Sequence, residues 1–166
     1  MAAAGDITIE LAAPGDVPAI HAMLRALSAT LDKEDEIQSS PEDLARYGFG
    51  ERPAFETMIA KKDGQPVGLA LFFFEFSTWR GRPGVYVQDL YVAADMRGTG
   101  LGRRLLNAVA ARAGQHNAVY MRLSVHAGND EGAGFYERLG FEAPHEQVLV
   151  LDGEGFVAMR RDGEKE

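Results

Sequence analysis

Cysteine is absent from the 166 residues. That excludes disulfides, thiolate metal sites and a cysteine nucleophile, and it leaves the cytoplasm as the default expectation for location. No apolar run approaches the roughly 20 residues needed to cross a bilayer. The opening MAAAGDITIELAAPGD has early acids and no basic n-region, so neither a membrane partner nor a signal peptide is expected. Positive charge is scarce, with 17 Lys and Arg against 25 Asp and Glu, a net −8. This balance argues against a nucleic-acid partner, which calls for a basic surface. It is compatible with a cationic small molecule, and equally with acidity that only keeps the chain soluble. The four histidines are scattered without ligand spacing, so no metal is expected. No repeat, low-complexity segment or linker interrupts the chain, which at this length reads as a single domain over 1–166.

What is present is alternation and punctuation. Residues 7–12 alternate as a strand does. Asp16 is placed to N-cap a helix over 17–29 with Pro18 in its first turn and Ile20, Met23, Leu24, Leu27 and Leu31 as its apolar stripe. An acid-rich connector follows, and Ser40 caps a short helix that starts at Pro41. Strands over 55–62 and 67–76 are joined by Asp63-Gly64 as a hairpin, and a third strand spans 85–92 after a turn near Gly81–Arg82. A helix over 100–113, a strand over 119–126 and a helix over 131–139 come next. A closing hairpin pairs 147–151 with 155–160 around Asp152-Gly153. This order predicts an α+β fold, a mostly antiparallel mixed sheet with helices on both faces.

One stretch carries chemistry. In VQDLYVAADMRGTGLG (87–102) an apolar strand leads through a short connection into a glycine-rich helix start. Gly98, Gly100 and Gly102 remove side chains where backbone must approach a ligand closely. Amides at a helix start have no intrahelical partner, and the helix dipole adds positive potential there. Flanked by Arg97 and Arg103, the turn reads as a cradle for a diphosphate. A dinucleotide fingerprint needs an acid about 20 residues further on, where this chain has VYMRLS. A P-loop needs Gly-Lys-Ser/Thr, where this chain has Gly102, Arg103 and Arg104.

Arg97, Gly100 and Gly102 match the pattern Arg/Gln-x-x-Gly-x-Gly/Ala, and the chain resembles the GNAT superfamily of N-acetyltransferases. DLARYGFGERPAF, FFFEFSTWRG, VYVQDLYV, MRGTGLG and FYERLGF are together similar to the diamine/polyamine (spermidine/spermine) and thialysine acetyltransferase group, over residues 7–161. The resemblance implies a GNAT fold, acetyl-CoA as co-substrate, a small primary amine as acceptor, direct attack in a ternary complex, and a homodimer. It implies that backbone at Leu90, Tyr91 and Val92 holds the acetyl carbonyl and pantetheine. The diphosphate would then lie on the amides of Gly98, Thr99, Gly100, Leu101, Gly102 and Arg103, beside Arg97. Asn129 matches an asparagine that contacts the cofactor arm, and it is equally placed to cap the next helix. Tyr136 matches the tyrosine that protonates the departing thiolate, a task suited to a phenol still protonated at neutral pH.

In polyamine-acetylating relatives a Glu-Asp pair on this strand handles the proton of the incoming ammonium. Here the pair is Gln88-Asp89, and an amide takes no proton. Three readings compete. Asp89 serves, provided a bulge turns it off the far face of the sheet. Alternatively Glu75 lies opposite Gln88 across the hairpin, its register set by a turn at Gly81–Arg82. The third reading is ordered water with no dedicated residue, with His126 a lesser contributor. Asp32, Glu34, Asp35 and Glu36 either draw a cation or only solvate the connector, and EAPHEQV replaces the group's Glu-Gly-Trp stretch. The rivals to an amine acetyltransferase are a non-catalytic acyl-CoA-binding module and a protein or peptide N-acetyltransferase.

Overall fold

Asp63 and Gly64 both adopt positive φ, 50° and 80°, the mirror-image turn that matches strand twist. They close the hairpin expected there, with Lys62 opposite Gln65. The computed structural model describes residues 6–144 and 148–165, without the side chain of Glu34. Contacts gather into two compact units, one reaching to Ala127 and one beginning at Gly128.

The first unit is a five-stranded sheet in the order β1-β2-β3-β4-β5. Its strands are β1 (Ile7–Leu11), β2 (Glu56–Lys62), β3 (Gln65–Ser77), β4 (Arg82–Val92) and β5 (Met121–Leu123). The first three pairings are antiparallel and β4–β5 is parallel, which is the mixed, mostly antiparallel sheet anticipated. Helices α1 (Val17–Thr30) and α2 (Pro41–Phe49) cover one face. There Val17, Ile20, Met23, Leu24 and Leu44 pack on Ile59, Leu69 and Leu71. The other face carries α3 (Leu101–Gly114), seated closely because Gly68 has no side chain: a Cβ there would meet Leu105 Cδ1 at 3.2 Å. Leu101, Leu105, Leu106 and Val109 bury the apolar stripe of α3. Fully burying each such side chain stabilises the fold by roughly 1.5–3 kcal/mol. Arg112 ties α3 to β2 by a forked pair with Glu56, both contacts 2.8 Å.

Caps follow the sequence in one place and depart from it in another. Ser40 Oγ accepts from the Asp43 amide at 3.1 Å while Asp43 accepts from the Ser40 amide at 2.9 Å, a closed capping box on α2. Asp16 stands at the N-cap position of α1, as anticipated, but its side chain makes no cap hydrogen bond. A 3-10 turn over Pro14–Asp16 turns its carboxylate backward, to the Ala13 amide at 2.8 Å and Lys61 Nζ at 3.0 Å. Burial opposes the charge on Asp16, yet the amide and Lys61 hold its pKa below the usual carboxylate range.

Two further expectations are corrected. The strand foreseen over 119–126 narrows to Met121–Leu123, because only Val85, Tyr86 and Val87 of β4 pair with it. In the second unit the closing hairpin is absent among the described residues. Gln147 lies outside them, Val148, Leu149 and Val150 are exposed without a partner strand, and the supposed second strand is a helix, α5 (Gly153–Gly163). Charge explains the helix: Glu154 sits in its first turn, Arg160 and Arg161 in its last, each favourable to the helix dipole. Arg160–Glu164 and Lys165–Asp162 pairs follow helical spacing. The other helix of this unit is α4 (Asp130–Arg138). Among the described residues no helix is long and apolar enough to cross a membrane.

Candidate active site

The β3–β4 ladder has one irregularity, and it falls on the Gln-Asp pair. Leu71 faces Asp89 and Phe72 faces Val87, so Gln88 is an extra residue with no partner on β3, a β-bulge. Side chains alternate along a strand. Without the bulge Gln88 would share the face of Tyr86 and Asp89 the opposite one. With it, Asp89 moves to the face of Tyr86, Leu71 and Tyr91, the side covered by α1 and α2. Gln88 is exposed and Asp89 half-buried. Burial pushes the Asp89 carboxyl up to about 6, because a poorly solvated carboxylate resists ionisation.

Glu75 is not opposite Gln88. It pairs with Gly84, four residues away along β4. The turn centres on Trp79 and Arg80, with Ser77 opposite Arg82. Ser77 Oγ accepts from the Arg80 amide at 3.2 Å, which fixes the turn earlier than Gly81–Arg82 and removes the premise on which Glu75 was a candidate base. Glu75 instead engages Arg122 of β5, with Nε at 2.9 Å from Oε1 and Nη2 at 3.3 Å from Oε2.

Beyond the bulge, β4 has an open edge. Its pairing with β5 ends at Val87–Leu123, so residues 88–92, including Leu90, Tyr91 and Val92, have a neighbour on the β3 side alone among the described residues. Past Val92 a 3-10 turn anchored by buried Met96 leads into the glycine loop. Thr99 Oγ1 donates to Met96 O at 2.6 Å and Arg97 Nε to Val92 O at 3.3 Å, locking the loop against the strand end. Gly98 and Gly100 take φ of 74° and 84°, and a Cβ on either would meet nothing within 4 Å. Gly100 is the N-cap of α3 and supplies no side-chain acceptor. None of the amides from Gly98 to Arg103 has an intramolecular acceptor among the described residues. Leu101 buries its side chain in the core and so presents only its backbone to the loop, while Arg103 is exposed. Unpaired amides, a helix N-terminus and two guanidiniums around open space fit the diphosphate of a CoA thioester.

The second unit holds the other two expected residues. Asn129 Oδ1 accepts from the Gly132 amide at 3.0 Å, so the capping role is made. Tyr136 lies on α4 between Phe135 and Phe141, with ring centroids 5.1 and 5.6 Å away. Burial raises the pKa of its phenol, which keeps it protonated at neutral pH.

Reading the sequence missed a group on the sheet face that carries Asp89. Phe73 and Tyr86, direct partners across β3 and β4, stack with centroids 5.1 Å apart and planes at 20°. Arg122 stands beside Tyr86 in the parallel register, and Tyr86 Oη shares a 2.6 Å hydrogen bond with Ser124 Oγ. The signal was present in FFF and VYV, but only a known register turns those runs into pairs.

The model of the Acetyltransferase (GNAT) family matches residues 20–141. Thialysine N-epsilon-acetyltransferase of Bos taurus is 31% identical over 166 residues, covering 95% of this chain and 94% of the relative. An L-methionine sulfoximine/L-methionine sulfone acetyltransferase of Pseudomonas aeruginosa is 31% identical over 110 residues, covering 62% of each. An aminoglycoside N-acetyltransferase solved in complex with CoA superposes with a TM-score of 0.75 at 16% identity, over 93% of this chain and 99% of that one. Likeness to a named acetyltransferase along nearly the whole chain, together with a family match spanning most of it, assigns this chain to the GNAT family of acetyltransferases.

Proposed function

We propose that this acetyltransferase moves the acetyl group of acetyl-CoA to the primary amine of a small acceptor, diamine, polyamine or lysine-like, by direct attack with Asp89 as general base. The bulge at Gln88 carries the reading, because it turns a half-buried carboxylate with a pKa of about 6 onto the sheet face shared with Tyr86. Bound acetyl-CoA supplies the activated carbonyl. Amides 98–103 hold its diphosphate beside Arg97, the open edge at Leu90, Tyr91 and Val92 holds its arm, and Asn129 adds a side-chain contact. An ammonium has no lone pair, so the acceptor first loses a proton, which Asp89 accepts at a carboxylate oxygen. Gln88, a donor and acceptor that cannot ionise, orients the amine or a water beside it. As the new N–C bond forms and the C–S bond breaks, the Tyr136 hydroxyl, the group the resemblance assigns to this step, gives its proton to the leaving sulfur, and the second proton shed by the acylated nitrogen passes through solvent to restore the phenol.

The family match runs across both units, which supports one catalytic domain over 1–166. A homodimer rests on the resemblance, and a cytoplasmic location on the lack of cysteine. Sedimentation and cell fractionation test these two.

The central test is thiol release from acetyl-CoA with a panel of diamines, polyamines, lysine-like amines and peptides, beside a CoA-binding titration. Turnover on small amines is expected. Tyr136→Phe should lower kcat by about 10²-fold while leaving CoA affinity in place, since Phe preserves the packing with Phe135 and Phe141. Tight CoA binding with no turnover on any amine would identify a non-catalytic module instead, and turnover confined to peptides a protein acetyltransferase.

A further inference from the structure

Arg122 is the least expected charge near the bulge. It sits on β5 directly beside Tyr86, on the sheet face to which the bulge has turned Asp89. Its side chain is 58% exposed, whereas that of Glu75 is 19% exposed. Its Nη2 donates to Glu75 Oε2 at 3.3 Å, and its Nε stands 2.9 Å from Oε1 as an ion pair without hydrogen-bond geometry. Its Cζ lies 5.9 Å from the centre of the Tyr86 ring, and that ring is itself fixed by stacking on Phe73 and by the bond to Ser124. Nη1 has no acceptor among the described residues. A guanidinium braced on one edge and open on the other is a preorganised fork for an anion.

The charges around it favour that role. Arg80 lies over Tyr120, its Cζ 4.6 Å from the ring centre. The Tyr120 ring packs on the backbone of Gly84, where a Cβ would collide with it, and Gly84 is the partner of Glu75. The cluster therefore sets two guanidiniums against one carboxylate, a local positive excess in a chain of net −8. Along the same face toward the open edge of β4 stands Asp89, a negative group at neutral pH. Tyr86 faces Phe73 and Asp89 faces Leu71, so the bulge leaves them two β3 residues apart, about 7 Å along the sheet. A negative group and an open positive fork at that spacing suit a molecule with an amine at one end and an anion at the other.

We infer that Arg122, held by Glu75 and Tyr86, determines acceptor specificity by binding a carboxylate at the end of the acceptor remote from the amine. This deepens the amine-acetyltransferase reading and rests on it. It selects, among small amines, those that carry a carboxylate several bonds from the reacting nitrogen, and it disfavours plain diamines. Glu75 is then a positioning residue that orients the fork.

L-lysine and cadaverine share a terminal amine and differ in the carboxylate. The native protein should use L-lysine with at least a tenfold higher kcat/KM than cadaverine. Arg122→Gln should raise the KM for lysine at least tenfold with kcat kept, and leave the cadaverine values where they were. Arg122→Lys should recover part of the loss, since it restores the charge without the fork. The native comparison holds even where Arg122→Gln fails to fold. Titration of each amine into protein saturated with CoA separates this inference from the acetylation reading. Absent turnover with lysine still bound tenfold tighter than cadaverine would refute acetylation and keep Arg122 as the anion site. Equal or no binding of the two, cadaverine preferred, or an Arg122→Gln loss shared by both amines would overturn the assignment.

Discussion

Burial pushes the Asp89 carboxyl up to about 6, and with Asp89 as the proposed base, activity and stability should diverge at this residue. A base must be ionised before it accepts a proton, so kcat/KM should rise with pH through about 6 and then level off. Asp89→Asn should abolish that limb and lower the rate by roughly 10²–10⁴-fold. The stability sign is opposite. The folded carboxyl holds its proton more firmly than the unfolded one, so stability falls as pH rises from about 4 to about 6 and stays lower above. At neutral pH the buried charge costs up to about 3 kcal/mol. Asp89→Asn should therefore raise the melting temperature at pH 7.5 while silencing the enzyme, and show little gain at pH 4. A pH–rate profile and paired melting curves check both halves. A variant that loses activity and stability together would mark Asp89 as a structural residue.

At the scale of elements, the two ends of α3 make contrary demands on glycine. Gly100, at its start, sits at φ 84° with free space around it, so an added methyl meets no atom and is resisted by the backbone alone. Gly100→Ala should cost about 1–2 kcal/mol and weaken CoA binding at least tenfold, as amides that must converge on one diphosphate lose their alignment. Gly114 ends the same helix with equal space and no positive φ, so Gly114→Ala should stabilise by about 0.5–1 kcal/mol and leave CoA affinity unchanged. Denaturant melts and calorimetric titration read the contrast. The same element shows what local sequence settles. MRGTGLG could be placed at the head of a helix from residue types alone, as could the Ser40 cap and the Asp63-Gly64 turn, because each is decided by φ, ψ and the nearest few residues. The C-terminal helix α5 escaped that reading. Its alternating apolar residues suggested a strand, and the charges that favour a helix lie at its two ends.

For the whole molecule, Trp79 offers a simple check. It is the one tryptophan of the chain, it stands at the tip of the β3–β4 turn, and it is 99% exposed. Its emission in the native protein should already sit at the water-exposed wavelength and barely shift on unfolding, so that circular dichroism follows the transition and fluorescence does not. A blue-shifted native maximum would contradict this exposure. The same turn governs the site, because its position sets the register of the β3–β4 pair. The sequence by itself determined the α+β order of the first unit, the hairpin turn at Asp63-Gly64, the capped start of α2 and the glycine loop at the head of α3. Only the tertiary structure decided that Glu75 lies beside Gly84 and Arg122, and that Asp89 faces the helices α1 and α2. Facing is a property of two strands together: one unpaired residue reverses every side chain beyond it, and nothing in the local sequence at Gln88 says whether the neighbouring strand will leave it unpaired.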